Sequence, residues 1–177
     1  MMVLATVAAV APCGAAALKI DEAKSRIQVE VKATGHSFTG TLEKFTASVS
    51  GSNGSLAPTA VNIGWDFADL KTGDGDRDHE MLDWLSHKTL PNGSFRMDKA
   101  WTDDAGRTWL QGQLKIHGES KKVAFAYTAK QDGGRLKLDG EVWIDHQDFK
   151  LGLIRKMGVM KVDPKLRIHF HLEGDVK

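Results

Sequence analysis

Along most of the chain, hydrophobic and polar residues alternate with a period of two, the mark of half-buried strands. Ile27, Val29 and Val31 alternate with Gln28, Glu30 and Lys32. Phe38, Gly40 and Leu42 share one parity and Phe45, Ala47 and Val49 the other, so Glu43-Lys44 predicts a bulge or corner. Val61, Ile63, Trp65 and Phe67 follow, then Phe95, Met97 and Trp101, then Leu110, Leu114 and Ile116. The last sets are Val123, Phe125 and Tyr127; Leu136, Leu138, Val142 and Ile144; and Leu166, Ile168, Phe170 and Leu172. Turn signals separate them at Ser50–Gly54, Asp103–Gly106 and Gly133-Gly134. Seven or more strands in this rhythm predict an all-β chain, an antiparallel sandwich or barrel.

Two stretches break the rhythm. Met81, Leu82 and Leu85 have helical spacing, and Asp76, Asp78 and Glu80 precede or open it, which predicts one short helix around 76–87 capped by Asp76. Pro91 and Gly93 end it. The stretch from Phe149 to Val162 is apolar and irregular, with Gly152 and Gly158 inside it.

Composition narrows the function. The 24 Lys+Arg against 23 Asp+Glu in 177 residues lack the basic excess of a nucleic-acid binder. One cysteine excludes an intramolecular disulfide framework. No charged side chain precedes Lys19; the apolar run Val3–Ala11, the break at Pro12–Gly14 and the small residues Ala15–Ala17 resemble a secretory leader over residues 1–17. The run is too short for a stable membrane span. The expected location is periplasmic or secreted, with residues 18–177 forming one domain.

Candidate chemistry is sparse. Thr72–Asp78 resembles a calcium loop superficially, but His79 and Leu85 stand where glycine and glutamate are required. No serine elbow, phosphate loop or dinucleotide fingerprint occurs. His169 and His171 share a strand face and would chelate zinc if His117 or His146 supplied a third ligand; the competing reading is the polar half of an ordinary strand.

Together, Leu70-Lys71-Thr72-Gly73, Arg77-Asp78-His79-Glu80-Met81-Leu82, Leu90-Pro91 and Phe95 resemble the signature of YceI-like, polyisoprenoid-binding proteins. Lys19-Ile20-Asp21 with Ser25, Gly35–Gly40, Leu114–Gly118 with Lys121-Lys122-Val123, and Asp148–Gly152 agree in order and spacing. Trp84–His87 departs from the doubled aromatic expected there. The resemblance implies a lipocalin-like, extended antiparallel barrel of about eight strands holding an amphiphile, exported and without a shared catalytic activity.

On that reading, the apolar parity supplies a tunnel of Phe38, Leu42, Ile63, Phe67, Phe95, Met97, Leu114, Phe125, Leu138, Val142, Ile144, Ile168 and Phe170. Lys71, Arg77 and His79 are the candidates for a polar head group, and Gly140 would leave room for the ligand. The expected function is an exported, non-catalytic carrier of an isoprenoid, quinone-like or fatty-chain lipid. No cofactor, resident metal or nucleic acid is expected; a homodimer is compatible. Two other readings compete: a zinc-assisted hydrolase or isomerase on the same barrel, and a filled-core stress or interaction domain.

Overall fold

The computed structural model describes residues 15–52, 55–156 and 160–176. Among the described residues, thirteen strands and one α-helix follow in chain order. Strands β1 (Ala15–Ile20), β2 (Arg26–Ala33), β3 (His36–Leu42), β4 (Thr46–Ser52), β5 (Pro58–Asp66) and β6 (Leu70–Lys71) precede helix α1 (Gly75–Trp84). After it come β7 (Asn92–Thr102), β8 (Thr108–Ile116), β9 (Glu119–Asp132) and β10 (Arg135–Asp145), the short pair β11 (Arg155–Lys156) and β12 (Met160–Lys161), and β13 (Lys165–Val176). Most of the expected leader lies outside the described residues; Ala15–Ala17, its last three, open β1 and pair with β4.

Every partnership is antiparallel. The order β1-β4-β5-β7-β8-β9-β10-β13 returns to β1, closing an eight-stranded barrel. Strand β13 pairs with β10 from Lys165 to Asp175, all but its last residue. On its other side it serves two strands in turn, β2 at Arg167–His171 and β1 at Gly174–Val176. The β2-β3-β6 branch therefore flares away from the closed ring at one end. The parity change after Leu42 is the corner between β3 and β4, where the Glu43 N–H donates to the Asp69 carbonyl. At the β9–β10 hairpin, Gly133 and Gly134 have φ of 54° and 85°, the mirrored two-residue turn that matches strand twist.

Helix α1 starts two residues earlier than the sequence implies. Asp74, not Asp76, is its N-cap: the carboxylate accepts the Arg77 N–H at 3.0 Å from an extended backbone. The calcium-like loop is a turn held by Asp78, whose Oδ1 accepts the Thr72 N–H at 2.9 Å and the Thr72 hydroxyl at 2.7 Å.

The space at Gly140 is already taken. Gly140 pairs with Phe170, and a Cβ at 140 would overlap the Phe170 ring. That ring touches Phe125, centroids 5.4 Å apart, and Phe125 touches Phe95 at 5.8 Å. The glycine thus seats an aromatic ring rather than a ligand. Gly140→Ala should lower stability by about 1–3 kcal/mol in urea unfolding, as overpacking does. In a Phe170→Leu background the same change should cost at least about 0.5 kcal/mol less, the coupling expected of touching groups. Equal costs in both backgrounds would place the ring elsewhere.

Candidate ligand cavity

A cavity of about 1100 Å³ occupies the barrel interior, as large as the roughly 300–1,000 Å³ pockets that hold small molecules or larger. Its wall is the apolar parity of the strands. Of the thirteen tunnel residues expected, all but Met97 line it. Met97 is half-buried against the core, at the register slip between Met97 and Lys99, where a bulge re-aims side chains. A filled core is therefore the wrong description of this barrel.

The wall also has parts outside the expected tunnel set, some of them already on the apolar parity of their strands. Ile27, Val29 and Val31 of β2 line it, as does Trp65 of β5. Helix α1 contributes Met81 and Trp84 and its C-cap Leu85, and the stretch after β10 contributes His146, Phe149, Leu151 and Ile154. Spacing around Met81 pointed to a helix; its inward face was the missed signal. The Trp84 Nε1–H donates to the Gly152 carbonyl at 2.9 Å, tying α1 to that stretch.

Exposed lining residues mark the mouth: Thr34 and His36 at the β2–β3 turn, Asp74 and Asp76 at the start of α1, Glu80 in its middle, and Leu153. Of the three expected head-group residues, only Arg77 is there. Its guanidinium lies over the Phe38 ring, 4.3 Å from the centroid, and meets Asp74 Oδ2 at 3.2 Å. Lys71 follows cavity-lining Leu70 on β6, so alternation turns it away. His79 sits on the outer face of α1 with its side chain 79% exposed, 3.5 Å from Asp83 one turn on.

The histidines proposed as zinc ligands are separated. His169 and His171 alternate with lining residues Ile168, Phe170 and Leu172, so they face outward. His171 Nδ1 lies 2.6 Å from Asp139 Oδ1, and His169 lies 3.7 Å from both Glu30 and Glu141. His117 bonds the Phe149 carbonyl and the Ser86 hydroxyl. His146 is on the inner side, 1% exposed. Among the described residues no three His, Cys, Asp or Glu side chains are grouped to hold a metal ion, and no helix is long and apolar enough to cross a membrane.

His146 is the polar exception in this wall. Its Nδ1 lies 3.3 Å from the Leu151 carbonyl and its ring meets Trp84 edge-on at 5.0 Å. A carbonyl only accepts, so Nδ1 carries the proton and Nε2 is a bare acceptor in the neutral ring. That nitrogen is buried without a hydrogen-bond partner.

The family profile described as a YceI-like domain matches residues 18–174. No match was found among curated proteins. Solved structures share the fold. The chain is similar to Burkholderia cenocepacia BcnA at 24% identity and a TM-score of 0.78, over 88% of this chain and 99% of that one. The YceI protein of Campylobacter jejuni aligns at 17% identity and a TM-score of 0.68, over 78% and 84%. A Saccharophagus degradans domain described as polyisoprenoid-binding aligns at 13% identity and a TM-score of 0.66, over 92% and 98%.

The segment joining α1 to β7 is held by His87, whose Nε2–H donates to Asp66 Oδ1 at 2.6 Å. The Ala68 N–H, and then His87, hold the Asp66 carboxyl below the usual carboxylate range. A lowered value means that its stabilisation is complete above the ordinary carboxylate pKa and is lost as pH falls through the lowered one. The protection of residues 85–91 against hydrogen exchange, taken relative to the intrinsic rate at each pH, should therefore fall only below about pH 4. Asp66→Asn, which still caps, should remove that acid step and cost up to about 1 kcal/mol at neutral pH. An unchanged acid profile would mean that another carboxylate holds the segment.

Proposed function

Since the chain belongs to the YceI-like family, we propose that it is an exported, non-catalytic carrier of one long isoprenoid or similar amphiphilic lipid. The cavity carries this reading. It is about 1100 Å³, opens at a mouth, and is walled by aliphatic and aromatic side chains from the strands and α1. Burial stabilises an apolar chain by about 0.8 kcal/mol per methylene, so such a wall is sufficient chemistry for holding a prenyl or acyl tail. The neighbour described as polyisoprenoid-binding supports the same ligand class.

Carrying needs a wall that holds and releases, and the wall described here offers contact surface rather than paired acids, bases or nucleophiles aimed at a common point. Export is part of the proposal, through removal of the apolar leader. A cut after Gly14 would leave all of β1, whereas a cut after Ala17 would remove its first three residues and their pairing with β4.

Binding of a long-chain polyprenol, kept below its aggregation threshold, should quench or shift the fluorescence of Trp65 and Trp84, which both line the cavity. Titration should saturate at one ligand per chain. Ile168→Trp places an indole in the cavity from the half-buried inner face of β13. It should weaken binding at least tenfold while leaving the urea midpoint nearly unchanged, because the space is open. A stability loss of about 1–3 kcal/mol with binding intact would describe an overpacked core instead.

A further inference from the structure

Charge is nearly balanced over the whole chain but not around the barrel. Strand register sorts the outer wall into rows. Thr46, Gly64, Ser94, Lys115 and Ser120 form one row across β4, β5, β7, β8 and β9, and Ser48, Asn62, Arg96, Gln113 and Lys122 form the next. Two shorter rows, Lys99-Gln111-Ala124 and Trp101-Trp109-Ala126, continue across β7, β8 and β9. These positions alternate with cavity-lining Phe95, Leu110, Leu114 and Phe125, so they face outward.

The charged residues in these rows, Arg96, Lys99, Lys115 and Lys122, are all cations and all exposed. One carboxylate stands among them, Asp98 in the β7 bulge, which accepts from Gln113 Nε2 at 2.9 Å and lies 4.0 Å from Arg96. Among the described residues no ion pair engages Lys99, Lys115 or Lys122. Trp101 and Trp109 stack with centroids 6.0 Å apart, Lys99 lies 5.0 Å over Trp101, and Arg107, paired with Asp103, lies 5.5 Å over Trp109. The opposite wall differs: Arg167 meets Glu30 and Glu141, and Arg135 meets Asp21, Glu173 and Asp175.

Neighbouring cations of the basic face stand roughly 7–10 Å apart, by strand spacing and rise, too far for one small anion to meet several. A chain that repeats its negative charge meets them all. Between them Asn62, Ser94, Gln111 and Gln113 offer uncharged hydrogen-bonding groups, which suit hydroxyls placed between the charges. A protein partner fits poorly, because Lys and Ser are depleted at such interfaces and this face has no apolar centre. A single-stranded nucleic acid needs open aromatic faces, whereas these indoles pack on each other and on cations. A membrane would lie on the wrong side. Strand β7 stands four places round the eight-strand ring from β13, which carries the β2–β3 flare and with it one side of the mouth.

We infer that the outer face of β5, β7, β8 and β9 docks a linear acidic polysaccharide, one bearing carboxylates on its sugar rings, and leaves the mouth of the cavity open. The face and the cavity are separate, so either stands without the other.

Polygalacturonate, neutral dextran and phosphatidylglycerol vesicles, each titrated into the protein at low ionic strength, test this. Polygalacturonate should bind with an affinity that falls as salt is raised, dextran should not bind, and the vesicles should bind more weakly. At about 0.15 M salt, where screening confines charge effects to near neighbours, Lys99→Glu with Lys122→Glu should weaken polygalacturonate binding about tenfold or more. Lys32→Glu with Lys165→Glu makes the same change in net charge elsewhere on the barrel and should alter it about twofold at most. Both double variants should keep the wild-type urea midpoint and polyprenol affinity, since all four lysines lie outside the cavity. Absence of polygalacturonate binding, dextran binding as tight, or equal losses in the two variants would overturn the inference and leave the carrier reading in place. Tighter binding to the vesicles would overturn it in favour of a membrane surface.

Discussion

Strand β13 is the constraint on which the rest depends. Eleven of its twelve residues, Lys165 to Asp175, pair with β10, and its other edge is divided between β2 and β1. That double edge closes the ring and fixes its circumference through backbone hydrogen bonds. A closed barrel cannot collapse to bring its inner side chains together, as an open sandwich can. Arg135 reinforces the seam, lying 2.8 Å from both Asp21 and Glu173 and 3.5 Å from Asp175. A fixed ring lined by side chains too short to meet is a cavity, and here it measures about 1100 Å³.

The interior is apolar because alternation sends the polar half of every strand outward. His169 and His171 show the consequence: they are spaced for a ligand pair, yet they spend their polar groups on Asp139, Glu30 and Glu141 on the outer wall. Aromatic packing adjusts the inner wall. Phe170 lies over Gly140 and Phe95 over Gly112, so glycine and ring together make a wall thinner than two side chains would. Helix α1 and the stretch after β10 complete the wall, joined by Trp84 and the Gly152 carbonyl.

Strand parity made much of this legible. Ile63, Phe67, Phe125, Leu138, Val142, Ile144 and Ile168 share the inner face because a period of two leaves a strand no other choice. Family resemblance supplied the closure, which alternation alone does not distinguish from a sandwich, and the expectation of an amphiphile. Parity failed where the backbone departs from it. Met97 sits at a bulge, and Gly140 is opposed by a ring whose rotamer the sequence does not state. Lys71 and His79 were grouped with Arg77 by proximity in sequence, but strand alternation turns Lys71 away and helical rotation puts His79 on the opposite face of α1. The acidic rim was visible as residues but not as a rim, because only the tertiary fold puts Asp76 and Glu80 beside the cavity.

The central claim is that one amphiphile occupies one barrel. Mass spectrometry of the protein purified from its native host, first under non-denaturing conditions and then on its organic extract, addresses it directly. The account predicts a mass increment equal to a single long-chain molecule, lost on denaturation and recovered in the extract. A bare polypeptide mass that stays unchanged after incubation with total lipid from the same cells would contradict it.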